Sequence, residues 1–139
     1  MSKYLTAAFM TWACLALPAF AVAGDYDGSK KLICAPSDVY ECGPAFDCQR
    51  ATPEMVSIPR FIRVDAKKKL LSGAAIAGAE ERTTAIQNVE KKDGKLFLQG
   101  AENARAWSIV IDQDSGHMSA SAVDNREGFV LFGACTTAR

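Results

Sequence analysis

Short stretches of alternating apolar and polar residues, separated by tight-turn signals, constrain the fold of this chain more than any other feature. In segment 106–112, the residues Trp107, Ile109 and Ile111 fall on one face of an extended chain, and segment 117–123 repeats the pattern. Alternation with a period of two over four to eight residues is typical of a half-buried strand. These segments therefore predict antiparallel strands.

Turn signals separate the predicted strands. Asp93-Gly94 lies between segments 83–91 and 95–99, and Asp-Gly between extended segments is typical of a type I′ hairpin, whose two central residues need positive φ. Further turns are expected at 113–116 and 124–128. The predicted strands are 61–65, 69–72, 83–91, 95–99, 106–112, 117–123 and 128–133.

The expected fold class is all-β. The sequence predicts a small antiparallel meander that closes into a barrel or a strongly curved sheet and is stapled by two disulfides. Segments 31–34 and 39–40 are expected as short extended pieces ahead of the meander. Segment 73–82, rich in Gly and Ala, is expected to be a loop or a short irregular helix.

The first 23 residues have the parts of a secretory signal peptide. Lys3 supplies a positive charge, residues 5–17 are apolar and uncharged, and Ala21-Val22-Ala23 has the small-x-small pattern that a signal peptidase accepts. We expect cleavage after Ala23, with a cut two residues earlier as the alternative. The apolar segment is shorter than the about 20 residues of a membrane-spanning helix, and Cys14 lacks the sequence context of a lipid-modified cysteine. The expected product is periplasmic or secreted, has no membrane anchor, and forms one domain, residues 24–139.

The charge of the mature part argues against nucleic-acid binding. Without residues 1–23 the chain has 15 basic and 16 acidic residues, a net charge of −1. Bulk electrostatics therefore attract neither nucleic acid nor an anionic membrane. The one basic run, Lys67-Lys68-Lys69, is expected to be a solvated turn or a guard on a strand edge.

Cysteine usage fits export. Cys34, Cys42, Cys48 and Cys135 remain after cleavage, and an even number of cysteines in a short exported chain indicates a disulfide framework. Of the three pairings we favour Cys42–Cys48, whose loop contains a Gly-Pro turn, together with Cys34–Cys135. The other two pairings stay open at this point.

Motifs for metal binding and catalysis are weak, and we expect no metal and no cofactor. The cysteine spacing does not match zinc ligands, and an EF-hand loop counted from Asp112 lacks its glycine and glutamate. His117, the only histidine, is expected to be an exposed residue next to a turn. An enzyme with an Asp or Glu pair, such as Glu80-Glu81 or Asp112 with Asp114, is the least favoured of three functional hypotheses.

The two favoured hypotheses are non-catalytic. In the first, the protein is a protein-binding or inhibitor-like module whose candidate binding loop, constrained by the Cys42–Cys48 bridge, includes Tyr40, Phe46 and Arg50. In the second, it is a small barrel that carries an apolar ligand. The candidate cavity for that ligand is lined by Trp107, Ile109 and Met118. The expected partner is therefore an unknown protein or a small apolar molecule.

Several segments together carry a resemblance that covers nearly all of residues 24–139. These segments are Cys34-Ala35, Glu41-Cys42, Cys48-Gln49-Arg50, 59–65, 107–112, 115–118 and 128–135. On them the chain resembles a group of small proteobacterial periplasmic proteins of unknown function. The resemblance implies a periplasmic, disulfide-stapled β domain and no particular activity. In size, and in a disulfide that ties an early to a late strand, the chain is also similar to small barrel-type periplasmic lysozyme inhibitors, but their inhibitory loop residues have no counterparts that we can align.

Overall fold

The described part of the protein is built from β-strands only. A computed structural model describes residues 25–73, 78 and 80–138; the predicted signal peptide lies outside these residues. The strands are β1 (Leu32–Gly43), β2 (Phe46–Ala51), β3 (Ile62–Asp65), β4 (Leu70–Gly73), β5 (Arg82–Ala85), β6 (Asn88–Lys92), β7 (Lys95–Glu102), β8 (Arg105–Asp112), β9 (His117–Val123) and β10 (Gly128–Thr137).

All strand pairs are antiparallel and form one strongly curled, half-barrel sheet. The strand order in the sheet is β5-β4-β3-β1-β10-β9-β8-β7-β6. Strand β2 also pairs with β1 but lies outside this order. Only Ile86 and Gln87 separate the outermost strands β5 and β6 along the chain. The N–H of Ile86 donates to the carbonyl of Lys69 and that of Gln87 to the carbonyl of Gln99. The two edges of the curled sheet are therefore brought together by the chain itself, and the expected fold class is confirmed.

The strand boundaries differ from the predictions at several points. The two expected short pieces at 31–34 and 39–40 are one continuous strand, β1, and β2 lies inside the segment expected to be a disulfide loop. The predicted strand 83–91 is interrupted where the chain changes partner from β4 to β7. The last strand continues to Thr137, because its final residues pair with the beginning of β1.

The concave face of the sheet forms the core. Residues that alternate inward from most of the strands are almost fully buried. The largest of them are Leu32, Cys34, Val39, Val64, Leu96, Leu98 and Ile111. A second group, Val39, Phe129 and Leu131, packs against Val56 and Ile58 from the segment after β2.

One end of the half-barrel is filled by the segment 25–30 that precedes β1, and we call it the closed end. The N–H of Tyr26 donates to the carbonyl of Gln113 at 3.2 Å. Gly28 adopts φ +80°, and a Cβ there would lie 3.0 Å from that of Ala66 and 3.2 Å from Leu96. Glycine is thus required both by the backbone conformation and by the close approach to the core.

A buried carboxylate holds this segment in place. Asp27 is 8% exposed; one of its oxygens accepts from the N–H of Ser29 at 2.8 Å and the other from Lys91 Nζ at 3.1 Å. Hydrogen bonds from Ser29, supplemented by Lys91, lower the pKa of Asp27 to about 2. The segment is therefore tied to β6 by a charged group that stays ionised in mildly acidic solution.

Two disulfides have the favoured connectivity. Cys34 and Cys135 are register partners in β1 and β10 and lie in the core, and their bridge spans 101 residues of sequence. Cys42 and Cys48 join β1 to β2, six residues apart. The pairing predicted from the sequence is confirmed.

Candidate functional site

The opposite end of the half-barrel, which we call the open end, holds a cavity of about 320 Å³. It lies between residues 56–59 of the segment after β2, strands β3 to β5, and the β7–β8 turn with strands β8 to β10. This volume is at the lower end of the range of small-molecule sites, about 300–1,000 Å³. Its apolar lining residues are Val56, Ile58, Pro59, Ile62, Leu71, Trp107, Ile109, Ala120, Ala122 and Leu131.

Small residues on β9 leave the space that this cavity occupies. In the sheet register Trp107 is opposite Ala122 and Ile109 is opposite Ala120. Each large residue of β8 is thus paired with an alanine, which cannot fill the concave side at that level. The cavity results from the sequence of β9, not from a gap between strands.

Trp107 is positioned by a glycine on the neighbouring strand. Its register partner in β7 is Gly100, and a Cβ on Gly100 would collide with the indole ring. The ring therefore lies flat over the backbone of β7 and forms one wall of the cavity. Trp107 and Ile109, two of the three residues predicted to line a cavity, do so.

Met118, the third residue predicted to line the cavity, lies deeper. It is the register partner of Ile111, one inward-facing level closer to the closed end, and is 3% exposed in the core. Ala120 takes the place expected for it at the cavity. The alternation of β9 identifies the correct face, but the level along the strand depends on register, which the sequence of β9 alone does not specify.

Arg105 forms the rim of the cavity at the start of β8. Its Nη2 donates to Asp124 at 3.0 Å and to Glu127 at 2.7 Å, and its guanidinium carbon lies 4.7 Å from the ring centre of Phe129. The N–H of Arg126 and the side chain of Arg105 lower the pKa of Asp124 to about 2. The charge of Arg105 is therefore already compensated by two carboxylates.

Two nitrogen atoms at the cavity lack hydrogen-bond acceptors. Trp107 Nε1 and Arg105 Nε are both buried, and neither donates to an acceptor in the described part of the chain. A buried donor without a partner typically costs about 1–3 kcal/mol, and such groups are rare enough in native structures to need an explanation. Both belong to side chains that line the same cavity.

The wall formed by segment 52–61 is fastened to the sheet. The N–H of Ile58 donates to the carbonyl of Pro53 at 2.8 Å within the segment. Arg82, at the beginning of β5, donates from Nη2 to the carbonyl of Ser57 at 3.1 Å. The apolar side chains of Val56 and Ile58 are thereby held against the open end.

A second candidate surface lies on the convex face of β1 and β10. Tyr40 packs edge-to-face on Phe132 with 6.5 Å between ring centres. Arg50, the register partner of Tyr40, lies 5.8 Å from its ring centre and pairs with Asp38. Phe132 and Val130 are 47% and 37% exposed. Together these residues form an exposed aromatic surface, which we call the Tyr40 surface.

The structure brings together only two of the three residues of the predicted binding loop. Tyr40 and Arg50 are neighbours, but the ring of Phe46 lies over Gly43. Gly43 is three residues from Tyr40 on β1 and therefore faces the other side of the sheet. Phe132 and Val130, which sequence reasoning treated as ordinary strand residues, complete the surface instead.

The other residues considered for catalysis or metal binding lie in turns and ion pairs that serve the fold. His117 is exposed at the first position of β9, as expected. Asp112 accepts hydrogen bonds from Lys95 and from the backbone and hydroxyl of Ser115, which lower its pKa. In residues 25–73, 78 and 80–138, no group of three His, Cys, Asp or Glu side chains is placed to hold a metal.

A depression of about 260 Å³ at the closed end is basic. Lys67 and Lys68, in the turn between β3 and β4, border it together with Gly28, Ser29, Lys30, Lys31 and Asp65. Lys30 pairs with Asp25 at 2.9 Å and Lys31 lies 3.7 Å from Asp65. The predicted turn at Lys67-Lys68-Lys69 is confirmed, with all three lysines exposed.

Comparisons with protein-family models, with curated proteins and with solved structures found no match to this chain. Among the described residues there is no helix that is long and apolar enough to cross a membrane. The functional argument therefore rests on the geometry of the open end and of the Tyr40 surface.

Proposed function

We propose that the protein binds a small apolar molecule in the open-end cavity and acts as its carrier. The observation that carries the proposal is an apolar, alanine-floored cavity at one end of a half-barrel whose other end is filled. Protein interiors are close-packed and have few voids larger than a water molecule, so an unfilled apolar space of this size needs an explanation. A partly enclosed apolar cavity with a few polar groups at its rim is the usual form of a small-molecule site.

The polar rim and the apolar wall of the cavity suit a ligand that enters from one side. Arg105, Asn103 and Glu102 lie at one lip, and Arg82 with Ser57 at another. Between them the apolar floor is formed by Ile109, Ala120 and Leu131, so a ligand loses its contact with water as it moves inward. Nothing in this arrangement requires the ligand to be changed chemically.

Fluorescence of Trp107 tests the proposal. Trp12 lies within residues 1–23, so the proposed mature protein, residues 24–139, has Trp107 as its only tryptophan. Titration with methyl octanoate is expected to shift its emission and to saturate. Ala120→Leu fills the cavity and is expected to weaken binding at least tenfold.

Ala106→Leu is the matched control, because Ala106 is exposed on the opposite face of the same strand pair. It is expected to leave binding unchanged. No saturable signal with methyl octanoate, octanoate or n-octane, or equal binding by the Ala120→Leu variant, would contradict the proposal.

The second candidate function is that of a protein-binding or inhibitor-like module, favoured by the Tyr40 surface. An exposed tyrosine, phenylalanine and arginine are typical of interface hot spots, and an apolar side chain of a partner fits against Phe132 and Tyr40. Inhibition of a lysozyme is the direct test, with a Tyr40→Ser/Phe132→Ser variant as the comparison. Inhibition that is absent, or that survives this double substitution, contradicts the second candidate.

A catalytic role through paired carboxylates receives the least support. In the described part of the chain every resolved carboxyl shift lowers the pKa, as for Asp27, Glu54, Glu81, Asp112 and Asp124. A general acid at neutral pH needs the opposite shift. None of the carboxyl groups with a resolved shift therefore supports a proposal of general acid catalysis.

Export to the periplasm is part of the proposal. Two disulfides are compatible with an oxidising compartment, and the resemblance to small periplasmic proteins points the same way. The mass of the protein recovered from the periplasm tests it. A mass equal to residues 24–139 with four oxidised thiols is expected, and a reduced chain that retains residues 1–23 contradicts it.

A further inference from the structure

We propose, as an extension that rests on the proposed function, that the cavity ligand is uncharged and amphipathic. Its carbonyl oxygen, of the kind found in an ester or an amide, accepts hydrogen bonds from Trp107 Nε1 and Arg105 Nε. Its apolar chain lies on the floor formed by Ile109 and Ala120.

The first argument is the position of the two donors without partners. Arg105 and Trp107 are two residues apart on β8, so both side chains project to the concave face, about 7 Å apart along the strand. Both line the cavity, and their N–H groups are out of contact with solvent and without acceptors in the described residues. Both N–H groups are shielded in this conformation, so a ligand that lies against the two side chains reaches them after a rotation of either one.

The second argument is the charge at the rim, which excludes an anionic group. Arg105 is held by Asp124 and Glu127, and Glu102 also lines the cavity. Arg82, the other cation of the lining, donates to the carbonyl of Ser57. Among these five side chains the carboxylates outnumber the guanidinium groups, so a ligand carboxylate meets more negative than positive charge.

The third argument is that the two unpartnered groups of the site, Trp107 Nε1 and Arg105 Nε, are both donors that need an acceptor. A carbonyl oxygen has two lone pairs and can accept from two N–H donors at once. A hydrocarbon gains the apolar contacts but leaves both donors unpaired, and a site built around hydrogen bonds discriminates against a ligand that cannot make them. The geometry therefore favours a neutral carbonyl compound over both an alkane and a fatty acid anion.

Three ligands of equal chain length test the inference by calorimetry on the full chain: methyl octanoate, octanoate at pH 8 and n-octane. Methyl octanoate is expected to bind about tenfold more tightly than either of the others, because two weak hydrogen bonds together contribute about that difference in affinity. Equal affinity for methyl octanoate and n-octane overturns the extension and leaves the proposed function standing. Tighter binding of octanoate overturns it as well. Binding of none of the three refutes the proposed function itself.

Two substitutions assign the effect to the donors. Trp107→Phe removes the indole N–H and Arg105→Lys removes Nε while keeping the charge. Each is expected to reduce the ratio of methyl octanoate to n-octane affinity several-fold; Trp107→Phe also weakens n-octane binding, because it removes part of the cavity wall. A preference that survives in both variants overturns the assignment. If either variant fails to fold, the ligand comparison on the unsubstituted chain still decides the matter.

Discussion

The two ends of this half-barrel are built from the same strands but packed in opposite ways. At the closed end, segment 25–30 presses Gly28 against Leu96, and Asp27 is bonded to Ser29 and Lys91. At the open end, alanines stand opposite Trp107 and Ile109, and two buried N–H groups have no acceptor among the described residues. The difference teaches that one sheet can be filled at one level and hold a cavity at another, and under the proposed function the second level is the one that binds.

Charged residues follow the same division. In the part of the chain that the structure describes, all eight lysines lie at the closed end, where Lys91 and Lys95 pair with Asp27 and Asp112. The open end carries arginines instead, and Arg105 and Arg82 are each fixed by hydrogen bonds at the rim. A planar guanidinium with several donors is better suited than an ammonium group to hold two partners and still face a cavity.

Removal of each disulfide gives the largest difference between regions. Cys34→Ser/Cys135→Ser opens a 101-residue loop and is expected to cost about 4–5 kcal/mol in the chain-entropy treatment. Cys42→Ser/Cys48→Ser opens a six-residue separation and is expected to cost about 2–3 kcal/mol. Urea unfolding of the two variants measures both values; a larger loss for the Cys42–Cys48 variant would mean that the open end, not the β1–β10 pair, secures the fold.

Two leucine-to-alanine substitutions sharpen the comparison within the core. Leu96 is fully buried at the closed end, and Leu71, 7% exposed, lines the cavity. Leu96→Ala is expected to destabilise by about 3–5 kcal/mol, because it leaves a new void in a filled region. Leu71→Ala is expected to cost about 2 kcal/mol, since part of its surface already borders empty space. Equal losses in the unfolding free energy would contradict the claim that only one end is filled.

The pH dependence of the closed end follows from Asp27. Its folded pKa of about 2 lies below the ordinary value of 3.8, so its contribution to stability is complete above about pH 4 and is lost as the pH falls through about 2. Asp27→Asn is expected to destabilise by about 1–3 kcal/mol at pH 7. The gap between the two proteins is expected to shrink as the pH is lowered from 4 to 2; a gap that stays constant over this interval would exclude the charged form of Asp27 as its cause.

A gain of volume at the open end is expected to be nearly neutral. Ala120→Leu places three carbon atoms in existing space, so the unfolding free energy is expected to change by less than about 1 kcal/mol, whereas overpacking a filled core typically costs about 1–3 kcal/mol. Ala66→Leu at the closed end, where Ala66 meets Gly28, is the matched comparison and is expected to show that larger cost. If both variants lose the same stability, the open end is no emptier than the closed one.

The convex Tyr40 surface lies outside this comparison and is expected to matter least for stability. Phe132 is 47% exposed, so Phe132→Ser is expected to change the unfolding free energy by no more than about 0.5 kcal/mol. Thermal unfolding checks it. A loss above 2 kcal/mol would show that Phe132 serves the fold, which would remove the main support for a protein-binding role.

The sequence predicts the fold better than the site, for a physical reason. Alternation and the Asp93-Gly94 turn specify the hairpins through local geometry, and the cysteine spacing suggests the pairs that form. The cavity instead depends on which levels of neighbouring strands meet: Ile109 meets Ala120, and Met118 meets Ile111. That register is set by the whole sheet. The sequence of β9 alone therefore predicts Met118 at the cavity, whereas Met118 lies one inward-facing level closer to the closed end.

The part of the Tyr40 surface that sequence reasoning missed has the same origin. Phe132 lies on the opposite face of β10 from the buried residues Phe129 and Leu131, and both faces of this strand carry large apolar residues. A bulge in β1 between Pro36 and Asp38 alters the pairing nearby. A short apolar strand does not reveal which of its faces is covered. A polar register partner indicates that a face is exposed. Asp38, which lies opposite Phe132, is such a residue.

Amide and indole chemical-shift mapping by NMR tests the central claim most directly. In the proposed mature protein, residues 24–139, the single indole N–H signal belongs to Trp107. Addition of methyl octanoate is expected to move that signal and the amide signals of Ala120 and Ala122, while those of Tyr26 and Gly28 at the closed end stay in place. Shifts confined to the closed end or to the Tyr40 surface, with the indole signal unmoved, would contradict the assignment of binding to the open end.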